Sequence, residues 1–95
     1  MTKIIWAPEA LDDLTSILDY IAEHDPQAAQ WVIRRIFTAV ETLEGNPEVG
    51  RPGRVLGTRE LVITSTPYVV PYRVSNDALQ VLRIYHGARR WPDRF

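Results

Sequence analysis

The sequence predicts an α+β domain of order β-α-α-β-β-β, with a helical hairpin packed on one face of a small antiparallel sheet. Three observations predict it. Apolar residues between Pro8 and Leu43 recur at helical spacing, runs of branched and aromatic residues follow Gly50, and turn residues divide those runs. At 95 residues and 45% apolar, the chain has enough material for one modest core, taken as one domain over residues 1–95.

Lys3-Ile4-Ile5-Trp6 reads as a short strand. Pro8 suits the first turn of a helix, where its missing donor costs nothing. Leu11, Leu14, Ile17, Leu18 and Ile21 then form one stripe, and Asp12, Asp13, Asp19 and Glu23 fall off it, so an acidic side is expected in water. His24-Asp25-Pro26 ends this helix, and Asp25 can cap the next one with Pro26 at its first position. Ala29, Val32, Ile33, Ile36, Phe37, Val40 and Leu43 keep helical spacing up to Gly45-Asn46-Pro47. Trp31, Arg34, Arg35 and Thr38 lie beside or opposite that stripe. Trp31 is expected half-buried at the hairpin edge, and an exposed Trp31 would point to a partner contact.

Three strands are expected at about 59–65, 68–74 and 79–86, the last of them central. Thr66-Pro67 and Ser75-Asn76-Asp77 mark the hairpin turns, and Pro71 belongs at a bulge or on a free edge. Gly50-Arg51-Pro52-Gly53-Arg54 has the glycines of a phosphate loop but neither its lysine nor a helix start, so a turn is expected.

The chain contains no cysteine and two widely separated histidines, which excludes disulfides and thiolate metal sites. No cofactor and no metal are expected. Residues 1–6 lead straight into an amphipathic segment and no apolar run has membrane-spanning length, so no signal peptide, no membrane contact and a cytoplasmic location are expected.

Charge is divided unevenly. Residues 1–48 carry nine acidic and three basic side chains, whereas residues 49–95 carry three acidic and eight basic ones. All eight are arginines, whose planar forks grip carboxylates and phosphates with two hydrogen bonds and shuttle protons poorly. The second half therefore suits a phosphate-bearing or acidic partner.

Tyr85-His86-Gly87-Ala88-Arg89-Arg90-Trp91-Pro92 gathers an imidazole, two guanidiniums and an indole near a strand end. Arginine with tryptophan suits phosphate and base contacts. The structural alternative is that His86 satisfies a buried hydrogen bond and Trp91 covers the core edge. Metal-free RNA cleavage needs a base, an acid and cations on the phosphorane. His86 and Tyr85 are the candidates for proton transfer, with Arg59, Arg73, Arg83 and Arg89 supplying charge. Successive strand residues point to opposite faces, however, which separates Tyr85 from His86. Glu60, alone among arginines, is expected to form an ion pair.

Five segments in order resemble the RelE/ParE superfamily of type II toxin–antitoxin toxins. They are residues 13–21, Asn46–Arg51, Gly57–Leu61, Pro67–Val74 and Ile84–Pro92. The Arg-Glu-Leu strand, the Tyr-Arg-Val strand and the His-x-Ala-Arg-Arg ending are most similar to the ParE branch, whose named members poison DNA gyrase. The RelE branch cleaves messenger RNA on the ribosome with a lysine/arginine/tyrosine set or a glutamate/arginine/histidine/tyrosine set. This chain departs from both: it has no lysine past Lys3, Val69 stands where an arginine is usual, and Trp91 and Phe95 stand where a terminal tyrosine is usual.

The resemblance implies a growth-inhibiting, plasmid-stabilising toxin that acts by binding gyrase rather than as an enzyme and is neutralised by a cognate antitoxin from a neighbouring gene. Arg59, Arg73, Arg83, Arg89, Arg90 and Trp91 would bind the target or a phosphate. The alternative is a ribosome-dependent messenger RNA endonuclease with His86 catalytic. The antitoxin would fold onto exposed apolar surface of the two helices, at residues the sequence does not single out.

Overall fold

Alternation along three paired strands sorts the second half of the chain onto two faces. The computed structural model describes residues 2–95. Strand β1 is Lys3–Trp6, helix α1 is Pro8–Ala22 and helix α2 is Pro26–Glu41, followed by a 3₁₀ turn at Thr42–Glu44. Strands β2 (Arg51–Pro52), β3 (Arg59–Val62), β4 (Tyr68–Ser75), β5 (Ala78–Val81) and β6 (Tyr85–His86) complete the order. They form a sheet in the order β1-β5-β4-β3-β2, with β6 also paired to β4.

Both helix starts follow from their sequence. Pro8 and Pro26 occupy first-turn positions, and the Asp25 carboxylate accepts from the Ala28 N–H at 3.1 Å. Both helices pack on one face of the sheet, burying Ala10 and Leu14 of α1 and Val32, Ile36 and Val40 of α2 against Val70, Tyr72, Leu79 and Val81. Because side chains alternate, the helix face also carries Tyr68 and Val74, while Val69, Pro71, Arg73 and Gln80 turn to the far face.

The sheet is mixed, which corrects the antiparallel expectation. β1 runs parallel to β5, with Ile4 opposite Leu79 and Trp6 opposite Val81. These strands lie at opposite ends of the chain, so no tight turn imposes an antiparallel pairing, and the long connection through the helices permits a parallel one. β5 is interior, as expected of the last long strand, and lies between β1 and β4.

The run expected as one strand over 79–86 is interrupted at 82–84. From the pair Tyr72–Val81 to the pair Val69–Tyr85, β4 steps three residues while its partner steps four. That extra residue is a β-bulge. Pro71 sits opposite it, accepting from the Leu82 N–H at 3.0 Å and donating nothing in return. The proline thus lies where a bulge has already broken the ladder, as its ring requires.

Two parts of the expected core are exposed. Leu11 and Leu18 of α1 lie on the outer side of the hairpin at 47% and 37% exposure, beside the 39%-exposed Phe37 of α2. Asp13, expected in water with the other acidic residues of α1, faces the bulge instead.

Candidate partner-binding face

The far face is organised around Tyr85. Its partner Val69 lies on that face, so Tyr85 does too and is buried. The tail after β6 folds back over it: the Trp91 ring meets Tyr85 edge-on at 4.9 Å and Phe95 stacks on it at 6.2 Å. Guanidiniums complete the surround, with Arg83 4.9 Å and Arg89 5.3 Å from the Tyr85 ring centre. Such cation–π contacts keep arginines extended over aromatic surface without neutralising them.

Carboxylates brace this arrangement from both ends. Arg83 donates through Nε at 2.8 Å and Nη2 at 3.0 Å to the two Asp13 oxygens, and the Ile84 N–H freed by the bulge donates to the same carboxylate at 2.9 Å. This pairing raises the Arg83 pKa further above its ordinary value, chiefly through its hydrogen bonds to Asp13. At the other end, the buried Glu60 accepts from Arg51 Nε and Nη2 at 3.1 and 3.0 Å and from the Arg54 backbone N–H at 2.7 Å. The Arg54 guanidinium then covers the Trp91 ring at 4.0 Å. A chain of contacts therefore runs from Glu60 through Arg54, Trp91, Tyr85 and Arg83 to Asp13. The segment 50–54, expected as a turn, instead contributes strand β2 at Arg51–Pro52, paired antiparallel to β3 beside this carboxylate, and it is no phosphate cradle at a helix start.

Two hollows adjoin along the face and share Arg83 and Phe95. One, of about 290 Å³, is lined by Glu9, Arg73, Gln80, Arg83 and Phe95. The other, of about 560 Å³, holds Arg83, Arg89, Arg90, Arg94, Tyr85 and Trp91, and no acidic side chain lines it. Among the described residues Arg73, Arg89, Arg90 and Arg94 form no ion pair. The face offers several uncompensated guanidiniums beside aromatic rings, suited to gripping carboxylates or phosphates on a large partner.

Of the residues singled out in the sequence, Arg73, Arg83, Arg89, Arg90 and Trp91 come together here. Arg59 does not. It lies opposite Tyr72 and so shares the helix face, where its Nη1 is tied to the Glu48 and Gly50 carbonyls at 3.0 and 2.8 Å. His86 is also apart: it pairs with Tyr68, meets that ring edge-on at 6.0 Å and is exposed, with Nδ1 accepting from the Ala88 N–H at 3.2 Å. Neither a buried hydrogen bond nor the arginine cluster engages it. Trp91 is half-buried with one face under Arg54, so that face is not free to stack on a base.

Sequence reasoning missed Asp13 and Arg54. The alternation Arg59-Glu60-Leu61 held the signal for the displacement of Arg59, because Leu61 marks the core side. The model of the ParE toxin of the type II toxin–antitoxin system parDE matches residues 4–91. The chain belongs to the ParE toxin family. It is 46% identical over 90 residues to the protein Y4kP of Sinorhizobium fredii, covering 95% of this chain and 93% of that one. It is 42% identical over 89 residues to Toxin RelE2 of Caulobacter vibrioides, covering 94% and 99%. Among solved structures, a chain of the chromosomal ParDE system from P. aeruginosa superposes with a TM-score of 0.83 at 31% identity, covering 90% of this chain and 96% of that one. A YoeB/ParE toxin from Agrobacterium tumefaciens, at 19% identity and a TM-score of 0.60, shares the fold. This ParE-family chain is thus a toxin of the ParE/RelE superfamily. Among its described residues no helix is long and apolar enough to cross a membrane.

Proposed function

We propose that this ParE-family toxin acts in the cytoplasm by binding and poisoning DNA gyrase through its far face, and that it cuts no RNA. One observation carries the reading: β6 places Tyr85 and His86 on opposite faces, with every clustered arginine on the Tyr85 side. General acid–base cleavage needs the proton carriers within hydrogen-bond reach of one phosphate, and this arrangement keeps the imidazole away from the cations. A binding face needs only the cations and rings. Arg73, Arg83, Arg89, Arg90 and Trp91 would form it.

A cognate antitoxin would neutralise the toxin on the helical hairpin. Leu11, Leu14, Leu18, Ile33 and Phe37 line an apolar groove of about 260 Å³ between α1 and α2. An amphipathic helix laid there covers the exposed leucines.

The test is purified toxin incubated with gyrase, ATP and relaxed plasmid. Loss of supercoiling together with cleaved plasmid after denaturation is expected. The relatives named RelE make RNA cleavage the rival reading. Unaffected gyrase, with new 5′ ends in cellular messenger RNA after induction, would replace the gyrase reading with it.

A further inference from the structure

The outer side of α2 carries a feature that the far face does not use. Trp31, Arg34, Arg35 and Thr38 fall at positions i, i+3, i+4 and i+7, one strip of a helix. Trp31 is 49% exposed, half-buried as expected, and Arg34 is exposed beside it. The Arg35 guanidinium lies 5.6 Å from the Trp31 ring centre. Its Nη2 donates to the Thr64 carbonyl at 2.8 Å, pinning the side chain to the turn between β3 and β4, while its buried Nε has no acceptor. Among the described residues neither arginine meets a carboxylate. This is a small positive island on the acidic half of the molecule, where Arg34 and Arg35 are the only arginines.

We propose that this strip is a third protein-docking site, separate from the far face and from the groove between the helices, taking a short acidic segment of a partner that inserts one apolar side chain beside Trp31. Size and charge select that occupant. The four residues line a hollow of about 180 Å³, room for one side chain and smaller than the roughly 300 Å³ at which small-molecule sites begin. Flanking carboxylates complement Arg34 and Arg35, whereas a long polyanion would also lie along the acidic remainder of the hairpin and be repelled. Tryptophan and arginine are the residue types that anchor interfaces, and the Thr64 tether holds Arg35 in place before any partner arrives. The site is independent of the gyrase reading, because α2 covers the opposite face of the sheet from Tyr85.

The test is a titration of the whole ¹⁵N-labelled chain with a blocked pentapeptide of alternating glutamate and leucine, followed at the Trp31 indole N–H. Saturable movement of that signal with a dissociation constant near millimolar is expected. The glutamine counterpart of the peptide should bind at least about fivefold more weakly, as should Arg34→Gln, an exposed substitution that leaves the fold intact by circular dichroism. Trp31→Ala, followed at the backbone N–H signals of Arg34 and Arg35, should abolish binding. No movement at 10-fold the expected constant, or equal binding of the glutamine peptide, overturns the proposal. Tighter binding of a single-stranded oligonucleotide at the same signal would reassign the strip to nucleic acid. Movement on concentrating the chain alone would reassign it to a second copy. Either result overturns the acidic-peptide site.

Discussion

Asp13 on α1 and Arg83 in the bulge after β5 form a two-pronged ion pair, 2.8 and 3.0 Å long, across 70 residues of chain. The same carboxylate also accepts the Ile84 N–H that the bulge turns away from β4. One side chain thus fixes both the helix layer and the orientation of the far-face arginine nearest Tyr85. The pair is partly exposed, with side-chain accessibilities of 29% for Arg83 and 14% for Asp13, so solvent screens it in part.

Asp13→Ala should therefore destabilise the fold by about 1–3 kcal/mol, below the 3–5 kcal/mol of a fully buried pair. A double-mutant cycle with Arg83→Met, read by chemical denaturation, should give a coupling of at least ~0.5 kcal/mol. Strict additivity would show that the two residues act separately.

Gly50 and Tyr72 make a second close pairing. The Gly50 N–H donates to the Tyr72 hydroxyl at 2.9 Å, and a Cβ on Gly50 would stand 2.5 Å from that oxygen and 2.9 Å from the Glu60 carbonyl. Gly50→Ala should cost about 1–3 kcal/mol through overpacking, and Tyr72→Phe about 1–2 kcal/mol through a buried donor left without its acceptor. Thermal melts check both.

Burial, the largest cause, raises the Tyr72 pKa above its ordinary value, and Tyr68 shifts the same way for the same reason. The folded protein then holds these phenol protons more tightly than the unfolded chain does. Their contribution to stability is complete below about pH 10 and is lost as the pH rises through the raised values. Denaturation midpoints measured from pH 8 to 11 should fall in the upper part of that range, and Tyr72→Phe should reduce the slope.

Much of this was legible in the sequence because it rests on periodicity. The helices, the Asp25 cap, the turns and a bulge at Pro71 all follow from local spacing and ring chemistry. What was not legible depends on contacts distant in sequence. Nothing near Asp13 announces a partner at position 83, and an off-stripe carboxylate reads as solvated until the bulge supplies two donors. The parallel pairing of β1 and the cover of Arg54 over Trp91 are likewise products of tertiary packing. Arg59 was grouped with the other arginines by charge, although its place beside Leu61 put it on the helix face. Leu11 and Leu18 kept helical spacing, but the core takes only one side of the stripe and leaves them outside.

Those two leucines yield another prediction. Leu18→Asp should cost no more than about 1–2 kcal/mol of stability, because the side chain is 37% exposed, and should weaken binding of the cognate antitoxin by about 10²-fold in calorimetry at a temperature where the variant is folded. Unchanged affinity would move the antitoxin to another surface.

Inhibition of gyrase supercoiling by two variants tests the division of the faces most directly. Replacing Arg89 and Arg90 together with alanine should raise the inhibitory concentration at least about 10-fold, whereas His86→Ala should match the unaltered toxin. Full potency of the double arginine variant, or loss of potency in His86→Ala, would contradict the account.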